Sequence, residues 1–206
     1  MGYNIAGVVI DKNYRDQIEE LEQILNKKLV ETEVIDFKGA SENWKEDDLC
    51  DIYFTEQGTL VFLSTENAST TFSATNQRVM SFVLTEVSMS FYISYTQNRF
   101  LLRKVLETEG EIVESKGELL DFEEGESDKS ELIYHLMEEL LDVSFWDIDL
   151  EEKCIRYQLE KLPIQSTVKS ELKQGDEKVN STAEITKVKK HKTSFLGKVM
   201  NGLRRK

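Results

Sequence analysis

Between Tyr157 and Phe195 the chain carries no aromatic residue, and its single proline, Pro163, stands near the start of that gap. A folded core needs apolar side chains dense enough to offset the conformational entropy lost on ordering, and residues 161–192 do not supply them. The sequence therefore reads as a folded unit over residues 1–160, a disordered linker over 161–192 and a basic amphipathic helix or tail over 193–206. A body of that length buries roughly two-thirds of its unfolded surface, so folding requires neither metal nor disulfide. Cys50 and Cys154, the only cysteines, belong to no C-x-x-C pair and are expected to be reduced thiols rather than zinc ligands.

The same division separates charge. The whole chain carries a net −13, but residues 161–206 hold 12 Lys+Arg against 4 Asp+Glu, leaving 14 against 35 in the first 160. An acidic body of −21 argues against a nucleic-acid groove on the folded unit, because phosphate binding depends on clustered Lys and Arg. It favours a basic partner. The start of the chain has no basic region ahead of its apolar run, and that run ends at Asp11, which points to a cytoplasmic protein without a signal peptide.

Residues 3–10 are continuously apolar apart from Asn4, with Gly7 inside, the pattern of a central strand covered on both faces. Asn13 stands as a helix cap before Ile18, Leu21, Ile24 and Leu25 at helical spacing. A second strand follows over 28–37, then a polar helical turn or loop carrying Trp44. Residues 49–55 and 59–64 flank Glu56-Gln57-Gly58, a hairpin signal with glycine available for positive φ. Residues 64–76, rich in Ser, Thr and Asn, read as a mobile surface loop. In 88–96, Met89, Phe91, Ile93 and Tyr95 alternate with Ser88, Ser90 and Ser94, as in a strand with one solvated face. Turns at Gln97-Asn98 and Gly110 continue the β pattern. Leu132, Ile133, Leu136, Met137, Leu140 and Leu141 then form a broad helical stripe, and 154–159 return as a last strand, placed at a sheet edge. The fold class is α+β: a mostly antiparallel sheet with two main amphipathic helices at about 14–26 and 127–142, plus the disordered C-terminal tail.

Chemistry that needs special residues is poorly served. The Asp11-Lys12-Asn13 connection has no glycine, so neither a dinucleotide fingerprint nor a P-loop is present. His135 falls on the polar helix face among carboxylates and reads as a surface histidine, and His191 lies in the tail, which leaves no base for a nucleophile. Asp147 and Asp149 with Glu151 or Glu152 have oxygen ligands suited to a hard cation, but D-x-D spacing alone marks a solvated acidic surface. No catalytic residue, metal ligand or cofactor is assigned. Residues 107–152 hold 18 carboxylates against Lys116 and Lys129, and the acidic docking face assigned within them is Glu138, Glu139, Asp142, Asp147, Asp149, Glu151 and Glu152. Phe145 and Trp146, just after the apolar helix, are expected in the core or at its rim.

The tail repeats apolar residues at helical spacing among basic ones: Phe195, Leu196, Lys198, Val199, Met200, Leu203, Arg204 and Arg205 are its binding candidates. A segment of this kind can lie on an anionic membrane or dock on an acidic protein surface. Gly197 and Gly202 and its shortness make it marginal as a helix in isolation.

The first apolar strand after Met1-Gly2, with Glu109-Gly110-Glu111-Ile112-Val113 and Gly117-Glu118-Leu119-Leu120-Asp121-Phe122-Glu123, resembles small uncharacterised bacterial α+β proteins over roughly residues 1–160. The resemblance excludes the tail, carries no catalytic motif and implies no activity. Some acidic bacterial domains of this size are immunity proteins that block a toxin, which is an analogy of class only. The sequence favours a non-enzymatic cytoplasmic interaction protein whose acidic domain binds a basic protein partner, in the manner of an immunity-type inhibitor. A peripheral membrane adaptor anchored by the tail comes second and a carboxylate-dependent hydrolase third.

Overall fold

A computed structural model of the chain describes residues 4–42, 44–120, 122–123 and 128–162. The linker and tail expectations for 163–206 lie outside the described residues. The elements run β1 Asn4–Ile10, α1 Ile18–Leu25, β2 Lys28–Asp36, α2 Phe37–Ser41, β3 Leu49–Phe54, β4 Thr59–Phe62, α3 Thr65–Ala68, β5 Arg78–Thr85, β6 Ser90–Gln97, β7 Phe100–Thr108, β8 Glu111–Gly117, α4 Lys129–Leu141, a 3₁₀ turn Phe145–Asp147 and β9 Lys153–Glu160. The fold is sheet-rich α+β, with nine strands in one sheet ordered β2-β9-β3-β4-β1-β5-β6-β7-β8. Every pairing is antiparallel. Among the described residues no helix is long and apolar enough to cross a membrane.

β1 occupies the centre, and its continuous apolar run has a simple cause. Ile5 and Val9 enter the core beneath α4, while Ala6, Val8 and Ile10 enter the core on the opposite face with Tyr14, Leu21 and Leu25. Gly7 is required by close approach: a Cβ there would lie 2.2 Å from the Val61 carbonyl oxygen of the paired strand β4. The sheet is thus sandwiched at its centre by α4 and α2 on one side and by α1 and the 65–76 segment on the other.

Several local expectations are corrected. The first helix begins at Ile18 rather than near residue 14, because the Asn13 carboxamide is used otherwise: its Oδ1 accepts from Arg15 N at 2.8 Å and its Nδ2 donates to Thr55 O at 2.6 Å. Tyr14 is buried, its backbone N–H donating to Thr59 Oγ1 at 3.0 Å. Gly58 adopts no positive φ. It is glycine because the hairpin turn presses on the end of α4, where a Cβ would lie 2.7 Å from Leu140 O and 3.0 Å from Ile10 O.

The Ser/Thr/Asn segment does not project as a loop. Ala68, Phe72 and Ala74 are buried, and its polar groups serve the sheet. Ser94 Oγ donates to Thr71 Oγ1 at 2.9 Å, Thr96 Oγ1 donates to the Phe72 carbonyl at 2.9 Å, and Phe72 N donates to Ser81 Oγ at 3.3 Å. The serine face of β6, expected to meet water, is therefore dry at Ser94 and Thr96. The β6–β7 turn is made by Asn98 and Arg99, both at positive φ, one residue later than expected and in the mirror-image turn that suits a twisted hairpin.

β9 is not an edge strand but lies between β2 and β3. Arg156 pairs with the neighbouring strand: Nε donates to Asp51 Oδ1 at 2.7 Å and Nη2 to Oδ2 at 3.0 Å. Asp51 is fully buried, and Lys45 Nζ, 3.0 Å away, completes its neutralisation. Cys50 and Cys154 are free and buried on opposite faces of the sheet, in separate cores. Burial, with the nearby Asp51 charge, pushes the Cys154 thiol up to about 12 and the Cys50 thiol higher still.

Candidate functional site

α4 is the element on which the site is built. Asp128 caps its start, with Oδ1 accepting from Ser130 N at 2.9 Å and Ser130 Oγ at 2.6 Å. Those bonds hold the Asp128 carboxyl below its ordinary value. Six apolar residues at helical spacing, from Leu132 to Leu141, are all buried against β1 and β5, as the periodicity requires. At the C-terminal end, Thr55 Oγ1 donates to the Leu141 carbonyl at 2.9 Å, and Asp142 closes the helix at φ 56° with Oδ2 accepting from Gln57 Nε2 at 3.1 Å. The helix is held at both ends and along its buried stripe.

An open groove of about 330 Å³ lies on its outer side, lined by Glu131, Tyr134, His135 and Glu138 from α4, by Phe122 from the preceding segment and by Trp146 from the 3₁₀ turn. The aromatic walls are ordered by mutual contact. Tyr134 and Trp146 have ring centroids 4.7 Å apart and tilted by 54°, Phe145 meets Trp146 edge-on at 5.4 Å and 88°, and Phe122 packs on His135 at 4.7 Å. Phe145 is core, as expected. Trp146 is not: it is 55% exposed, because the 3₁₀ turn sends consecutive side chains in different directions and only one can enter the core.

Phe122 is placed from a distance. Glu123, next to it, is buried and takes both ends of the Arg103 guanidinium, with Nε to Oε2 at 2.8 Å and Nη2 to Oε1 at 2.6 Å. Arg103 also donates to Ser115 Oγ at 2.9 Å and to Lys116 O at 3.2 Å, so one buried guanidinium ties β7, β8 and Glu123 together. Lys129 Nζ approaches Glu123 at 4.0 Å from the first turn of α4. Burial pushes the Glu123 carboxyl up, but the Arg103 and Leu120 hydrogen bonds and the charges of Arg103 and Lys129 outweigh it and hold the group below its ordinary value.

The seven carboxylates of the expected acidic face are not equivalent. Glu138 lines the groove. Glu139 is turned away and pairs with Arg78, which also binds Asp11 at 2.8 Å. Asp142 is engaged in the helix end, Asp149 accepts from Glu151 N at 3.0 Å in the following turn, and the Glu152 carbonyl accepts from Phe37 N at 2.7 Å. Asp147, Asp149, Glu151 and Glu152 are exposed on the connection from the 3₁₀ turn to β9. Among the described residues no three His, Cys, Asp or Glu side chains converge as metal ligands. Glu131, Phe122 and Tyr134 were missed as site residues. Glu131 and Glu138 share a helix face at i and i+7, a signal present in the sequence, whereas the approach of Phe122 and Trp146 to Tyr134 is tertiary. The tail candidates lie outside the described residues.

No family model, curated protein or solved structure matches the chain. The chemistry of the groove is what bears on function.

Proposed function

We propose that the chain is a non-enzymatic, cytoplasmic interaction protein that binds a basic protein partner through the α4 face, as an immunity-type inhibitor would bind its toxin. One observation carries this reading: an exposed, pre-oriented tryptophan, Trp146, stands in a groove whose charged lining is acidic, with Asp147 and Asp149 nearby on the surface. Aromatic anchors surrounded by a polar rim supply most of the affinity of protein interfaces, and complementary charge speeds encounter. Glu131, His135 and Glu138 are exposed, so these lining groups meet solvent, as the polar rim of a binding surface does.

Capture of a partner on the immobilised chain at about 0.5 M salt tests the reading, since exposed electrostatics are largely screened there and a packed interface is not. The wild type retains its partner, while Trp146→Ala and Glu138→Lys lose it. Release of every bound protein from the wild type at that salt counts against an anchored interface.

A further inference from the structure

The α4 groove is suited to one particular side chain. We infer that it is a socket for a single arginine of the partner, with the guanidinium stacked on Trp146 and hydrogen-bonded by Glu131 and Glu138; this rests on the basic-partner reading above.

Size comes first. A volume of about 330 Å³ lies at the small end of ligand sites, which begin near about 300 Å³. It holds a long side chain with its water rather than a helix or a dinucleotide. The lining then selects charge: Glu131 and Glu138 are present, and no Lys or Arg occurs among the described residues that line the groove. An anionic ligand would meet repulsion and no donor of fixed positive charge.

Geometry distinguishes arginine from lysine. Glu131 and Glu138 stand two helical turns apart, a rise of about 10.5 Å at 1.5 Å per residue. Carboxylates so spaced do not close on one metal ion, in keeping with the absence of a three-ligand cluster among the described residues. They can reach opposite edges of a planar ion that lies between them. Arginine offers donors along several edges in a rigid plane and stacks on an aromatic face, whereas the lysine ammonium is a compact point charge that satisfies one carboxylate at a time. The flat surface is in place: Trp146 is braced edge-on by Phe145 and tilted against Tyr134, so little ordering cost falls on binding.

The experiment uses the full chain carrying Trp44→Phe, which leaves Trp146 as the only tryptophan of the two in the sequence. Its emission is followed while Gly-Gly-Arg-Gly-Gly amide, the lysine and citrulline counterparts, and free arginine are titrated in. A saturable change is expected with the arginine peptide, about tenfold weaker with lysine and absent with citrulline, which has the shape of arginine without its charge. Glu131→Gln and Glu138→Gln, exposed positions whose variants are checked for a native circular dichroism spectrum, each weaken the arginine response about tenfold, the scale of one lost charge-assisted hydrogen bond. Equal responses to arginine and citrulline, or unchanged binding in both glutamine variants, overturn the socket. Tighter binding of free arginine than of the peptide overturns its assignment to a protein side chain. If the peptide series fails while the salt-resistant capture still depends on Trp146 and Glu138, the socket alone is wrong; if both fail, the basic-partner reading falls with it.

Discussion

The centre of the sheet and its β8 edge are held together differently. At the centre, β1 is buried on both faces over every residue from 5 to 10, and its neighbours β4 and β5 are almost as dry. At the far edge, β8 is exposed along nearly its whole length, with Ile112 61% accessible and Phe100 of the adjoining strand 71%. The centre is held by apolar burial, which is non-directional and grows with area. The hairpin of β7 and β8 has little such area and is held by its ladder and by directional contacts, above all the buried Arg103–Glu123 pair. The groove sits where the two regimes meet: Tyr134 and Phe145 belong to the core, while Phe122 packs against it beside Glu123, which Arg103 holds.

Substitutions sharpen this contrast. The largest loss is expected for Phe82→Ala, a fully buried ring beneath α4. Removing it leaves a cavity in a region with no freedom to collapse, and chemical denaturation should register roughly 3 to 5 kcal/mol.

Next comes Arg103→Met, expected to cost about 3 kcal/mol because it leaves Glu123 buried without its main counter-charge, whereas Arg103→Met with Glu123→Leu should recover most of that loss. Equal destabilisation in the single and double variants would show that packing, not charge, holds the hairpin. The same pair sets an acid limit. Since the folded Glu123 carboxyl lies below its ordinary value, its contribution is present above the unfolded value of about 4.3 and is lost as pH falls through the depressed folded value. Stability measured against pH should therefore decline on that acid flank, and less steeply in the double variant.

A smaller effect, about 1 kcal/mol, is expected for Asp128→Ala, which removes the cap of α4 and its two bonds to Ser130. Smallest of all is Ile112→Thr on the exposed edge, which should stay within about 0.5 kcal/mol by thermal unfolding. A large loss there would mean that this edge is covered in solution.

Much of the centre was legible in the sequence. The unbroken apolar run of β1 announced a strand covered on both faces, the hairpins followed from turn residues, and the stripe of α4 fixed which of its sides is core and which carries His135 and Glu138. Each of these follows from a period of two or 3.6 and needs only neighbours in sequence. What failed did so where a polar residue has a distant partner. Ser94 reads as solvated until Thr71 covers it, and the last strand reads as an edge until the Arg156–Asp51 pair is found between it and β3.

The antiparallel α+β character, the excess of carboxylates in residues 1–160 and the apolar face of α4 were legible in the chain, because patterning and charge are local properties. Only the tertiary structure decided that β9 inserts between β2 and β3, that Glu123 is clamped by Arg103 from 20 residues away, and that three aromatic rings and two carboxylates close on one groove. Those outcomes depend on which distant polar groups neutralise one another when buried, and no periodicity in the chain records that choice.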